Sequence, residues 1–152
     1  MKNNKKVKSL FPVEPQHLTD TTNAEKIVEL FGNNLRFDHR QKRWLIWNGN
    51  IWKPDITGNI YRFAIQSARQ QYQDAVKIQD LNERMRVSDW AIESENRSKL
   101  KSALSIAENL EPIADAGNDW DTNPMLLACK NGIIELTTGK LRQGRQKDRV
   151  TM

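Results

Sequence analysis

Apolar residues recur along this chain at two spacings, and the change from one to the other marks where helix gives way to strand. Residues 1–16 follow neither spacing, contain Pro12 and Pro15, and read as a flexible basic leader ahead of a domain that begins at His17. Ala24, Ile27, Val28 and Phe31 then fall at i, i+3, i+4 and i+7, the spacing of a short amphipathic helix ended by Gly32. Thr19, Asp20, Thr21 and Thr22 each offer a helix cap, and Thr22 with Glu25 has the capping-box spacing, in which each side chain satisfies the other residue's free N–H.

The spacing next falls to two. Leu35 and Phe37 alternate with Arg36, and after a polar loop comes the stretch from Trp44 to Trp52, which holds three of the five tryptophans. Asn48-Gly49 suits a two-residue hairpin turn, which would set Trp47 opposite Asn50, Ile46 opposite Ile51 and Leu45 opposite Trp52. One face then carries Leu45, Trp47 and Trp52, and the other Trp44, Ile46 and Ile51. Both faces are apolar, so this hairpin must be covered twice.

Helical spacing returns from Ile60 to Ile78, with Ile60, Phe63, Ala64, Ser67, Ala68, Gln71 and Ala75 on one stripe. Leu81, Met85 and Ile92, with Trp90, mark a second helix, and Leu100, Ala103, Leu104 and Ala107 a third. Residues 83–101 mix charges of both signs, as a solvated helix face does. Glu111 to Pro124 reads as a loop, and Met125 to Arg142 as short strands punctuated by Asn131-Gly132 and Thr138-Gly139. The expected fold is α+β: a short N-terminal helix, a tryptophan-rich antiparallel meander, about three helices in the middle and a C-terminal β-hairpin, with the two hairpins neighbours on one sheet.

Composition changes this picture little and charge more. With 38% hydrophobic and 28% charged residues in 152, the chain suits an ordinary globular protein, and no apolar run approaches the ~20 residues that span a bilayer. No secretory signal is visible and Cys129 is the single cysteine, expected to be a buried, inert thiol, so a cytoplasmic location is the expectation. Lys2, Lys5, Lys6 and Lys8 at one end, and Lys140, Arg142, Arg145, Lys147 and Arg149 at the other, leave the middle slightly acidic. Clustered cations suit phosphate contacts. The candidate nucleic-acid residues are therefore Lys2, Lys5, Lys6, Lys8, Arg142, Arg145, Lys147 and Arg149, with Trp44, Trp47 and Trp52 as a packing or base-stacking platform.

Catalytic and cofactor motifs are missing. Gly139-Lys140 is followed by Leu141, so the chain has no phosphate-cradling G-x-x-x-x-G-K-[ST] loop. His17 and His39 lack metal-ligand spacing and read as surface residues. Asp119-Trp120-Asp121 has the form of a Mg²⁺-holding carboxylate pair, and equally of a capping turn ahead of Asn123-Pro124. No catalytic, cofactor or metal residue is assigned.

Leu18-Thr19-Asp20, Asn23-Ala24-Glu25, Gly32 and Leu35-Arg36-Phe37, then Trp44 to Gly49 with Trp52, and finally Asn131 to Leu136 with Thr138 to Leu141, resemble the N-terminal-like module of phage and plasmid primase-helicases. That module is similar to the one preceding the helicase of the poxvirus primase-helicase. The resemblance covers Leu18 to Thr151. It implies a non-catalytic part in DNA replication, beside a superfamily 3 helicase that binds ATP and Mg²⁺ and often behind a primase domain. Adjoining helicase and primase domains are then the expected partners, with single-stranded or forked DNA as a further one and no membrane.

Ala128-Cys129-Lys130 and Thr137 depart from the family pattern, and Arg149 to Met152 looks like the point at which a helicase would begin. The chain is therefore expected to be an isolated domain or a truncated reading frame lacking the helicase. The competing expectation is a stand-alone single-stranded nucleic-acid-binding protein, or a remnant of a phage primase.

Overall fold

The computed structural model describes residues 17–151. Lys2, Lys5, Lys6, Lys8 and the expected leader lie outside the described residues. Four helices and two small sheets follow in the order α1 (Asp20–Phe31), β1 (Leu35–Asp38), β2 (Arg43–Trp47), β3 (Trp52–Pro54), α2 (Ile60–Ala75), α3 (Leu81–Glu93), α4 (Arg97–Ala107), β4 (Ala114–Asp115), β5 (Leu126–Cys129), β6 (Gly132–Glu135) and β7 (Lys140–Arg142). The α+β class and the order of elements agree with the sequence pattern. Among the described residues no helix is long and apolar enough to cross a membrane.

Helix α1 is capped by Thr19, the first of the caps the sequence offers, three residues ahead of the Thr22–Glu25 box. Thr19 and Thr22 form the reciprocal box, Thr22 N–H donating to Thr19 Oγ1 at 3.2 Å and Thr19 N–H to Thr22 Oγ1 at 3.0 Å. A threonine hydroxyl thus plays the part expected of Glu25. The helix runs over into a 3-10 turn, Gly32–Asn34, in which Gly32 keeps right-handed geometry. A Cβ at Gly32 would press on Pro112 and Val28, so close packing is what favours glycine there.

The first sheet has the order β3-β2-β1-β4, with β4 parallel to β1. Its tryptophan hairpin pairs Trp47 with Trp52, Ile46 with Lys53 and Leu45 with Pro54, two residues away from the expected register. The cause is Asn48, whose Oδ1 accepts the N–H groups of Asn50 at 2.9 Å and Ile51 at 2.8 Å, making a four-residue loop instead of a two-residue turn. A shift of two preserves side-chain parity, so Leu45, Trp47 and Trp52 still share a face. Trp44 and Ile46 on the opposite face pack with Ile27, Leu35, Phe37, Ile60, Leu100, Leu104 and Ile113 in the main core.

Helices α2, α3 and α4 lie where the spacing places them, but α3 turns a different side inward. Val87 and Ala91 are its buried residues, whereas Leu81, Met85 and Ile92 are exposed. Small side chains on α2, including Ala64, Ser67 and Ala68, let the helices approach closely. Buried Asn23 ties three helices together: it donates to Ser94 Oγ at 2.9 Å and accepts from Gln71 Nε2 at 3.0 Å and Trp90 Nε1 at 3.1 Å.

The segment read as a loop from Glu111 to Pro124 contains β4 and a cis Glu111–Pro112 bond. The C-terminal hairpin gains a third strand and forms its own sheet, β5-β6-β7, separate from the first. Its first turn is Lys130-Asn131, since Cys129 pairs with Gly132. Gly132 instead begins β6, where a Cβ would overlap the Arg142 carbonyl oxygen. Two further expectations are corrected. His39 is half-buried, its Nε2 2.8 Å from Glu108 O and its ring edge-on to Phe37, and Cys129 is only partly buried.

Candidate functional site: the tryptophan strand and its C-terminal strap

The second covering that the hairpin requires comes from the far end of the chain. Residues 144–151 form a strap across the Leu45, Trp47 and Trp52 face. Trp52 N–H donates to Val150 O at 2.9 Å, and its indole Nε1 donates to Gln146 O at 3.0 Å. Gly144 N–H donates to Asn50 Oδ1 at 2.7 Å, with the two backbones so close that a Cβ on Gly144 would overlap the Asn50 carbonyl. Gln146 Nε2 reaches Asn33 O at 2.8 Å, fastening the strap to the end of α1 as well.

Trp52, 2% exposed, sits in a run of rings and cations. Trp47 and Trp120 lie 5.4 and 5.9 Å from it between ring centres, and the Arg36 guanidinium lies 4.8 Å from its ring. Arg149 caps the run 4.0 Å from the Trp120 ring centre. Cations over indole faces are held by the ring quadrupole, more firmly where water is excluded.

Asp115 sits between the two arginines. It accepts Arg149 NH1 at 2.9 Å and NH2 at 2.8 Å, and the N–H of Gly117 at 2.8 Å. Burial works to raise its pKa, but the hydrogen bonds from Arg149 and Gly117 and the charges of Arg149 and Arg36 outweigh it, holding the carboxyl below its ordinary range. Arg149 is raised in turn, chiefly by its bond to Asp115, while burial lowers Arg36. Asp121, with φ of 56°, accepts Thr151 N–H at 2.7 Å and also the Thr151 hydroxyl. Its carboxylate is thus engaged in a turn, and Asp119 is exposed to solvent.

A second cluster holds the strap's other end. Arg142 binds Glu135 through Nε and Asp148 through both terminal nitrogens, at 2.7 and 3.0 Å. Asp148 also accepts Arg145 N–H at 2.8 Å. Burial again works to raise the Asp148 carboxyl and is outweighed by these bonds, so its pKa falls below the ordinary value.

The four C-terminal cations singled out for nucleic acid therefore divide. Arg142 and Arg149 are bound within the fold, and Arg145 and Lys147 remain exposed on the strap with no ion pair among the described residues. Trp44 is half-buried against Phe37, Trp52 is closed off by the strap, and Trp47 keeps partial exposure beside it. Asp115, Asp121, Trp120 and Arg36 complete the site and are not recognisable as a group in the sequence, because they meet only when β4 docks beside β1. Among the described residues no group of three or more His, Cys, Asp or Glu is placed to hold a metal ion.

The family model described as D5 N terminal like matches residues 24–152. No curated protein matches the chain.

Proposed function

This chain belongs to the D5 N terminal like family, the N-terminal domain of phage and poxvirus D5-type primase-helicases, and from that premise we propose that residues 17–152 act as one module of a DNA primase-helicase. The module is non-catalytic. It links or collars a superfamily 3 helicase, whose ATP and Mg²⁺ chemistry belongs to that motor, and adjoins helicase and primase domains in cytoplasmic DNA replication. The family match carries this reading.

The strap adds a physical reason. Thr151 is held by Asp121, and Val150 by Trp52, so a domain following residue 152 would start from a fixed place and direction on this one. A module that transmits position needs such an anchored exit. Reading the source DNA beyond codon 152 tests the proposal: an in-frame G-x-x-x-x-G-K-[ST] motif supports it, and a stop codon there refutes the joined-helicase part. The purified chain is expected to show no ATP hydrolysis, and turnover would refute the non-catalytic assignment.

Exposed Arg145 and Lys147 favour a second reading, contact with single-stranded DNA either within that machine or by the chain alone. Reversing both, Arg145→Glu with Lys147→Glu, is expected to weaken binding to a poly-dT oligonucleotide at least about tenfold. Each lost phosphate contact should also lower the slope of log affinity against log salt by about 0.7. No binding by the parent chain at low salt would refute this reading.

A further inference from the structure

Between the first turns of α2 and the edge strand β3 lies a cleft of about 500 Å³, within the ~300–1,000 Å³ usual for ligand sites. It opens on the side of the tryptophan hairpin away from the strap. Ile46 and Lys53 pair across β2 and β3 and so share a face, the one that packs on the main core, whereas the strap covers the Leu45, Trp47 and Trp52 face. Ile46, Pro54, Ile56 and Phe63 give the cleft its apolar lining, and Lys53 and Arg62 line it as exposed cations.

Its charge is set by which groups are already engaged. Asp55 is the one acid among the described residues of the lining, and its carboxylate accepts the N–H groups of Thr57 at 3.3 Å, Asn59 at 2.9 Å and Ile60 at 2.8 Å. Lys53 and Arg62 make no ion pair among the described residues, so they are the charges left to meet a ligand. The bonds to Asp55 also pin the loop that carries Ile56, which is 90% exposed, more than any other large apolar side chain among the described residues. One exposed aliphatic residue is ordinary on a protein surface. Held by a fixed loop at the rim of an apolar cleft, it is a contact already ordered for binding.

We infer that this cleft binds an acidic peptide segment of a partner protein, with an apolar side chain of the peptide against Ile46, Pro54, Ile56 and Phe63 and its carboxylates at Lys53 and Arg62. Charge complementarity selects the acids, and the lining selects the apolar anchor. Strand addition is closed off as an alternative mode. Trp52 and Pro54 are the residues of β3 whose backbone faces outward; Trp52 N–H already donates to Val150 O at 2.9 Å, and proline has no N–H to give. The peptide is therefore held by side chains in the cleft. Nucleic acid fits less well, because the single ring in the lining, Phe63, is half-buried and packed edge-on to Phe31 with ring centres 5.0 Å apart, a poor platform for a base.

Fluorescence anisotropy of the full chain with a fluorescein-labelled peptide, an aspartate pair on either side of a Leu-Phe core, tests this. The parent chain should bind it with a Kd between about 1 µM and 1 mM, the span of modest affinities, and more weakly as salt is added. Replacing the aspartates of the peptide by asparagines, or its Leu-Phe core by serines, should each weaken binding at least about fivefold. Arg62→Glu, Lys53→Glu and Ile56→Ser should each do the same, at least about fivefold, while Lys101→Glu, an exposed cation on α4, should not. All four positions are exposed, and unchanged circular dichroism shows that each variant is folded. No binding by the parent chain up to about 1 mM would overturn the proposal. So would folded Arg62→Glu binding as the parent does, equal binding of the asparagine peptide, or displacement of the peptide by a poly-dT oligonucleotide, which would assign the cleft to phosphates.

Discussion

Arg149 donates twice to Asp115 while its guanidinium lies 4.0 Å from the centre of the Trp120 ring, so one side chain joins the last segment of the chain to β4 and to the tryptophan cluster. Both partners of the ion pair are mostly shielded from water. Removing one charge strands the other in that setting. Asp115→Asn is expected to lower the unfolding free energy by about 1–3 kcal/mol, read as a lower urea midpoint.

Stability should also depend on pH through Asp115 and Asp148. Both carboxyls have a lower pKa folded than unfolded, so the unfolded chain takes up protons first as the solution becomes acidic. Their contribution is complete above the ordinary carboxylate value of about 4 and is lost as pH falls through the lower folded values. Urea midpoints should therefore begin to drop at about pH 4 and keep falling as the solution becomes more acidic. The double variant Asp115→Asn with Asp148→Asn should start less stable and show a shallower fall.

Gly144 and Gly139 offer a paired test of why the strap needs glycine. Gly139 has a φ of 67° but open space around it, so alanine there should cost about 1 kcal/mol of backbone strain. Gly144→Ala places a methyl group against the Asn50 carbonyl and should push the strap from the hairpin. Its thermal midpoint should fall several degrees further than that of Gly139→Ala, with greater quenching of tryptophan fluorescence by acrylamide as Trp52 becomes accessible.

Asn23 should be costly to remove although it contributes no apolar surface. Asn23→Ala leaves the indole N–H of Trp90 without its acceptor and the Ser94 hydroxyl without its donor, in a buried setting. A loss of about 2–3 kcal/mol is expected, and hydrogen exchange should rise together in α1, α2 and α3 because the residue joins all three.

Much of the fold was legible because local patterns and tertiary burial agree along most of the chain. The 3.6-residue spacing located α1, α2 and α4, and two apolar faces on the tryptophan hairpin correctly demanded two coverings. Helix α3 shows where this fails. Leu81, Met85 and Ile92 form a stripe as regular as a core face yet stay exposed, while Val87 and Ala91 face inward and Trp90 reaches buried Asn23, opposite the small residues Ala64, Ser67 and Ala68 that α2 buries. The hairpin register failed for a local reason, Asn48 closing the loop with its side chain in competition with the Asn-Gly turn.

The sequence by itself determined the α+β class, the order of elements, the two-sided hairpin and the motif set of the D5 N terminal like family, since these rest on periodicity, turn chemistry and residue order, all local properties. Only the tertiary structure decided what covers the hairpin and which cations remain free. Arg142, Arg145, Lys147 and Arg149 look alike in the sequence, yet two are bound to carboxylates and two face water. Asp115 is 34 residues from Arg149 along the chain, and no spacing rule links such positions. Their meeting depends on β4 docking parallel to β1, a long-range event driven by burial of the surrounding core.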